Sequence, residues 1–76
     1  MIIKILGTGC AKCKKLEENA RKAIEELSSD AVVEKVTDLN KIINYGVMMT
    51  PALVIDEEVV SVGKVLNPND IIKLIS

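Results

Sequence analysis

Residues 10–13, Cys10-Ala11-Lys12-Cys13, decide the fold of this 76-residue chain. An apolar run, Met1 to Leu6, precedes them, and a long amphipathic stretch, Lys14 to Leu27, follows. Two cysteines at this spacing, where a strand meets a helix in a small α/β chain, form a dithiol that can close to a disulfide. The chain has no other cysteine and no histidine, so we expect its chemistry to depend on these two sulfurs.

The apolar pattern on either side predicts alternating strands and helices. Four short apolar runs are predicted strands: residues 2–6, 32–36, 52–55 and 59–62. Three segments are predicted helices: one from Ala11 to Leu27, a short one between an Asp38 N-cap and Gly46, and one starting at Asn67-Pro68. The order β-α-β-α-β-β-α predicts a single α/β domain over residues 1–76, with a four-stranded mixed sheet flanked by helices.

Composition excludes several classes of function. The net charge is −1, and Tyr45 is the sole aromatic residue, so neither a basic footprint nor stacking platforms are present for nucleic acid. No apolar run approaches membrane-spanning length, and the N-terminal residues lack a signal-peptide pattern. We therefore expect a soluble, cytoplasmic protein without membrane or nucleic-acid partners, in a compartment where a disulfide is more often catalytic than structural.

Cys10 is expected at or next to the N-cap of the long helix. Free backbone N–H groups and the helix dipole favour a thiolate there, and Lys12, Lys14 and Lys15 lie in the same first turn. Together they predict a Cys10 pKa below the ordinary value of about 8.5. Cys13 shares the apolar stripe of the helix and should be more buried. An exposed attacking thiolate with a shielded resolving partner suits thiol–disulfide exchange; the structural alternative is a pair of ordinary reduced cysteines.

Metal binding is a competing use of the same two cysteines. Two thiolates leave zinc short of its usual four ligands, whereas they suffice for Cu(I). The chain resembles small copper carriers of the heavy-metal-associated family in placing C-x-x-C between a first strand and a helix. That family usually has Met where this chain has Thr8, and its order is β-α-β-β-α-β. A Cu(I) or other soft-metal carrier is therefore the alternative function, and a binding module with inactive cysteines is a third.

Three segments resemble the thioredoxin/glutaredoxin superfamily. The first segment is residues 45–53, with the sequence Tyr-Gly-Val-Met-Met-Thr-Pro-Ala-Leu. It looks like the pattern of that superfamily in which Tyr-Gly-Ile/Val is followed by three variable residues, Pro, one further residue and Leu. Val62-Gly63 before an amphipathic segment resembles its last hairpin strand and closing helix. Residues 7–13 are most similar to short "redox-active disulfide" proteins with a thioredoxin-like sequence. The resemblance covers nearly the whole chain and implies a minimal thioredoxin fold.

The resemblance also implies an activity, that of a thioredoxin- or glutaredoxin-like disulfide oxidoreductase in cell redox homeostasis and electron transport. Cys10 and Cys13 would be catalytic, and Pro51 would be a cis proline beside them. The implied substrate-binding residues are Gly9, Ala11, Lys12, Met49, Thr50, Pro51 and Gly63. No bound cofactor or metal is implied. The implied partners are disulfide-containing proteins and a disulfide reductase or low-molecular-weight thiol as electron donor, with the protein a monomer.

Several positions depart from the family or admit two interpretations. Typical thioredoxins carry a buried acid where this chain has Lys4, so a carboxylate proton relay is in doubt; Lys4 either favours a thiolate or extends from the strand end into solvent. Met48 and Met49 either add to an apolar docking rim or fill the core. Tyr45 is interpreted as a packing residue, and residues 57–58, both Glu, as a solvated hairpin turn.

Overall fold

The computed structural model describes residues 1–75 of the chain. The elements follow in the order β1 (Ile2–Leu6), α1 (Ala11–Glu26), β2 (Val32–Val36), α2 (Leu39–Asn44), β3 (Ala52–Ile55), β4 (Glu58–Val62) and α3 (Pro68–Ile75). The predicted order β-α-β-α-β-β-α is therefore confirmed.

The four strands form one mixed sheet in the order β2-β1-β3-β4. β1 and β2 are parallel, joined through α1, and Ile3 lies opposite Val33. On its other side β1 is antiparallel to β3, and β3 is antiparallel to β4. The sheet thus has β1 and β3 at its centre. The loop after β1 leads to Cys10 at the N-terminus of α1, and Cys13 lies in the first turn of that helix.

Helices cover both faces of the sheet, and each face has its own apolar core. The face that carries α1 and α3 buries Ile3, Ile5, Leu16, Ala20, Ala23, Leu53, Ile55 and Ile71. The face that carries α2 buries Leu6, Ile42, Val47, Ala52 and Val54. β3 contributes to both, and all four of its residues are buried, as expected for a central strand. The result is a minimal thioredoxin fold.

Local capping signals act where the sequence places them. The carboxylate of Asp38 accepts a hydrogen bond from the backbone N–H of Asn40, and Gly46 follows α2 with a left-handed φ of 78°. The side chain of Asn67 accepts from the N–H of Asp70 at the start of α3. These contacts satisfy N–H groups that have no partner inside the helix.

Two predicted boundaries were wrong by one residue. α1 ends at Glu26, because Leu27 is its C-cap and Ser28 takes a left-handed φ of 50°. β4 begins at Glu58, so a two-residue turn joins the hairpin. Asp56 and Glu57 have φ values of 48° and 68°, the double left-handed turn that matches the twist of antiparallel strands.

Among residues 1–75, no helix has the length and apolar character needed to cross a lipid bilayer.

Candidate functional site

Cys10 is the N-cap residue of α1, as predicted. Its backbone is extended, with φ −66° and ψ 168°, and its carbonyl accepts the first helical hydrogen bond, from the N–H of Lys14 at 3.0 Å. Its Sγ accepts a hydrogen bond from the N–H of Cys13 at 3.3 Å. A sulfur therefore occupies the position that Ser, Thr or Asp oxygen usually holds at a helix N-terminus.

The two cysteines differ sharply in exposure. Both are free thiols; Cys10 is exposed, whereas Cys13 is only 5% exposed and faces the core beside Leu16. Their Sγ atoms lie 2.6 Å apart. The three-residue spacing along the helix brings the second sulfur directly behind the first, so that a partner molecule meets Cys10 first.

The same geometry separates the acidities of the two thiols. The pKa of Cys10 is lowered, chiefly because the Cys13 thiol and then the Cys13 backbone N–H donate hydrogen bonds to its sulfur. Burial raises the pKa of Cys13, and its role as donor to Cys10 raises it further. The direction predicted for Cys10 agrees, but the principal cause is Cys13 itself.

Gly7, which the sequence suggested only as a break after the first strand, shapes the site. A Cβ at this position would overlap Cys13 Sγ and lie 3.1 Å from Cys13 Cβ. Gly7 therefore provides space for the buried sulfur. The only sequence signal was a glycine directly after a buried strand, because its neighbour Cys13 becomes known only when the helix folds back.

The Thr50–Pro51 segment lies against the same loop, and its peptide bond is cis. Thr50 Cβ is 3.8 Å from the position of a Cβ built on Gly7, the position that Cys13 Sγ also adjoins. Pro51 is fully buried, and its carbonyl accepts a hydrogen bond from the N–H of Gly63 at 2.8 Å. The fold thus brings together residues that are far apart in sequence.

The other residues predicted to bind substrate lie beside Pro51 or at the start of α1. Gly63 has a left-handed φ of 71°, and a Cβ there would lie 3.2 Å from Met49 Cε. Gly9, with φ 94°, is exposed and has no atom within 4 Å of such a Cβ. Ala11 and Lys12 are exposed in the first turn of α1. The structure places these residues but leaves their binding role a prediction.

The two methionines do not fill the core. Met48 is 97% exposed and Met49 is 62% exposed, so the core-filling interpretation was wrong for both. Met49 contacts the Gly63 position and through it adjoins Pro51. An exposed, flexible apolar side chain therefore borders the segment next to the dithiol.

Lys4 forms a polar cluster away from the dithiol, with Tyr45 and Glu57. Its ammonium donates to a Glu57 carboxylate oxygen at 2.5 Å and to the Tyr45 hydroxyl at 2.9 Å, and that hydroxyl donates to Glu57 at 3.1 Å. These contacts raise the pKa of Lys4 and lower that of Glu57. Glu57 lies in an exposed hairpin turn, as interpreted, but its carboxylate is paired with Lys4 and Tyr45. Tyr45 therefore does more than pack. Lys4 is not among the chief causes of the lowered pKa of Cys10.

The site offers a metal ion only two ligands. Within residues 1–75 no group of three or more His, Cys, Asp or Glu side chains lies close enough to hold an ion. The dithiol could bind a metal only through its two sulfurs.

Comparison with known proteins gives one consistent result. Residues 1–76 match the family model described as "Thioredoxin domain". The chain is similar to a thioredoxin of Methanothermobacter thermautotrophicus, at 42% identity over 76 residues, 100% of this chain and 99% of that protein. It is also similar to a thioredoxin of Methanocaldococcus jannaschii, at 44% identity over 71 residues, 93% of this chain and 81% of that protein.

Proposed function

The chain belongs to the thioredoxin domain family, and from that membership we propose that it catalyses thiol–disulfide exchange through Cys10 and Cys13. One observation carries the proposal: an exposed cysteine of lowered pKa caps a helix, with a buried cysteine of raised pKa directly behind it. A thiolate is the nucleophile in exchange, so the two sulfurs are suited to different steps.

The proposed reaction has two steps. The Cys10 thiolate attacks one sulfur of a substrate disulfide; that bond breaks, a mixed disulfide forms, and the released sulfur takes a proton from solvent. Cys13 then loses its proton and attacks Cys10 Sγ, which closes the Cys10–Cys13 disulfide and releases the second substrate thiol. The protein gives the substrate two electrons. Solvent supplies the two protons that the released substrate sulfurs take up, and it receives the one that Cys13 loses. Cys13 Sγ adjoins Cys10 Sγ, which is the contact that the second step requires.

The surroundings support a proposed docking arrangement. Thr50 is exposed next to the buried Pro51, so its backbone is accessible to an extended substrate segment beside Cys13. Gly9, Ala11, Lys12, Met49 and Gly63 border the approach. No cofactor is required by this scheme. We propose disulfide-containing proteins as substrates, a disulfide reductase or low-molecular-weight thiol as electron donor, and action as a monomer in the cytoplasm.

Insulin reduction tests the activity. Added to insulin and dithiothreitol, the protein should accelerate precipitation of the insulin B chain, and a Cys10→Ser/Cys13→Ser variant should not. A wild-type rate equal to that of dithiothreitol alone would contradict the proposal and favour a binding module without turnover.

Soft-metal carriage has less support. The carrier family has the order β-α-β-β-α-β, whereas α2 here separates β2 from the β3–β4 hairpin. Metal analysis after anaerobic purification is the test. Stoichiometric copper retained against a competing thiol, together with failure to reduce insulin, would favour the carrier.

A further inference from the structure

The N-terminal turns of α1 carry an excess of positive charge beside Cys10. Lys12, Lys14 and Lys15 are all exposed, and the first turn contains no acidic residue. Lysines at this end oppose the helix dipole and cost helix stability. The positive charge is therefore concentrated where it does not help the helix and where a substrate must approach.

Carboxylates further along α1 leave part of this charge unpaired. Glu17 pairs with Arg21 and Lys35. Glu18 pairs with Lys15 at 3.9 Å and with Lys22 at 3.4 Å. Within residues 1–75, Lys12 and Lys14 have no carboxylate at ion-pair distance. Two cations at the dithiol thus remain available to a partner molecule.

The side-chain charges of these two lysines are not among the chief causes of the lowered pKa of Cys10. The chief causes of its lowered pKa are the hydrogen bonds from the Cys13 thiol and backbone N–H. A negatively charged substrate, however, would be repelled by a Cys10 thiolate. Positive charge on the adjoining turn converts that repulsion into attraction.

The size of the space beside the dithiol indicates what kind of molecule approaches. The cavity bordered by Gly9, Cys13 and Lys14 has a volume of about 20 Å³. Pockets that enclose small molecules are far larger, roughly 300–1,000 Å³. A small disulfide would find no enclosing pocket there. An open surface with an exposed sulfur, exposed methionines and free lysines fits a disulfide on the surface of another protein.

We propose that Lys12 and Lys14 select protein disulfides that are flanked by Asp or Glu. The proposal rests on the proposed exchange activity and adds its substrate class. The lysines are specificity residues: they attract the carboxylates, while electrons pass only among the sulfurs, as in the two steps given above. Exposed ion pairs contribute enough to change a rate about two- to five-fold per lysine.

Matched peptides provide the test. Three short synthetic peptides are used, each with a single cysteine, and each is oxidised to a disulfide-linked dimer of itself. The peptides differ only in the residue on both sides of the cysteine, which is Glu, Gln or Lys. Reduced protein is mixed with each in a single turnover, stopped with acid, and its oxidised fraction is measured by mass spectrometry. Each rate is divided by that of dithiothreitol with the same peptide, which removes differences in intrinsic disulfide reactivity.

The normalised rate should decrease from the Glu to the Gln to the Lys peptide. In the double variant Lys12→Gln/Lys14→Gln, the ratio of the rate with the Glu peptide to the rate with the Gln peptide should fall toward one. The control variant Lys41→Gln/Lys73→Gln removes the same amount of charge, on α2 and α3, and should keep the wild-type ratio. Raising salt from about 0.05 to about 0.5 M should also reduce the ratio, because the screening length becomes shorter than typical charge separations.

Other outcomes overturn specific statements. Equal normalised rates for the three peptides, while all are reduced, would overturn the lysine role and leave the exchange activity intact. Oxidation by none of the peptides, together with failure to reduce insulin, would overturn the exchange activity itself. Two small disulfides, the charged 3,3′-dithiodipropionate and the neutral 2-hydroxyethyl disulfide, provide a comparison without a peptide. If the ratio of their rates is larger than the ratio for the Glu and Gln peptides, the choice of a protein substrate is overturned.

Discussion

At the scale of single residues, the position of the buried cysteine depends on Gly7, which has no side chain. Gly7 does not need a left-handed backbone; it is required because Cys13 Sγ occupies the space of its Cβ. The buried sulfur in turn donates the hydrogen bond that most lowers the pKa of Cys10. Gly7 thus bears on the pKa of the exposed cysteine through the buried one.

Gly7→Ala should therefore reduce the reactivity of Cys10. The new methyl displaces Cys13 Sγ, so the hydrogen bond to Cys10 is weakened and the pKa of Cys10 rises toward its ordinary value. Overpacking should also cost about 1–3 kcal/mol of folding free energy. Iodoacetamide labelling of the folded protein at pH 7 measures the first effect, and urea unfolding the second.

Gly9→Ala is the control. Its φ of 94° disfavours a side chain, but nothing lies within 4 Å of the new atom, so stability should fall with little change in labelling. Equal labelling rates in wild type and Gly7→Ala would contradict the positioning role.

The order of acidities predicts the order of alkylation. Cys10 should be labelled first as the pH rises, since its lowered pKa produces thiolate at lower pH than the raised pKa of Cys13 permits. Mass spectrometry of peptides from protein labelled across a pH series identifies the site. Preferential labelling of Cys13 near neutral pH would reverse the assignment of nucleophile and resolving thiol.

Removing the resolving thiol should trap intermediates. Cys13→Ser should accumulate long-lived mixed disulfides at Cys10, whereas Cys10→Ser should form far fewer, because its remaining thiol is 5% exposed in the wild-type fold. Non-reducing electrophoresis after incubation with a disulfide substrate measures both. If the two variants trap substrate equally, the division of roles is wrong.

At the scale of elements, the cluster of Lys4, Tyr45 and Glu57 connects three parts of the fold. Lys4 lies on β1, Tyr45 caps the C-terminus of α2, and Glu57 lies in the turn between β3 and β4. Lys4 is 19% exposed, so the cluster is partly shielded, whereas Glu57 is 65% exposed. The cluster therefore fixes the hairpin turn and the end of α2 to the central strand.

Glu57→Gln should lower stability at neutral pH and have less effect in acid. The folded-state pKa of Glu57 lies below its ordinary value of 4.5, so its contribution is present above pH 4.5 and is lost as the pH falls through the lowered pKa. Urea unfolding at pH 7 and near pH 3 measures the change. Glu58→Gln, one residue along the chain, is the matched control; an equal loss in both variants would contradict the cluster's role.

At the scale of the whole molecule, a short chain supports two small cores by placing the central strands of its sheet between them. β3 sends Leu53 to one core and Ala52 and Val54 to the other, and all three are completely buried. Leu53→Ala should cost about 2–5 kcal/mol. That is a large part of the roughly 5–15 kcal/mol that stabilises a typical domain, so urea unfolding should show a much lower midpoint. Val62→Ala, at a site 41% exposed on the edge strand β4, should cost far less.

The parts of this architecture that local signals encode were predictable from the sequence. The element order, the cap residues Cys10, Asp38 and Asn67, and the burial of Cys13 depend on neighbours within a few positions. Contacts set by folding were not: the fit of Gly7 to Cys13 and the pairing of Lys4 with Glu57 join residues whose proximity no local pattern specifies. The position of Pro51 was anticipated only through resemblance to a family.

Cys10 carries the sulfur proposed to react and is also the N-cap of α1. A change in the oxidation state of Cys10 should therefore alter the hydrogen bonding of the backbone at the start of α1. Its Sγ accepts from the Cys13 N–H. When Cys10 changes from a thiolate to a disulfide it becomes a poorer acceptor. The amide proton of Cys13 is thus a built-in spectroscopic reporter: its chemical shift should move upfield and its solvent exchange should accelerate each time the protein passes from the reduced to the oxidised state.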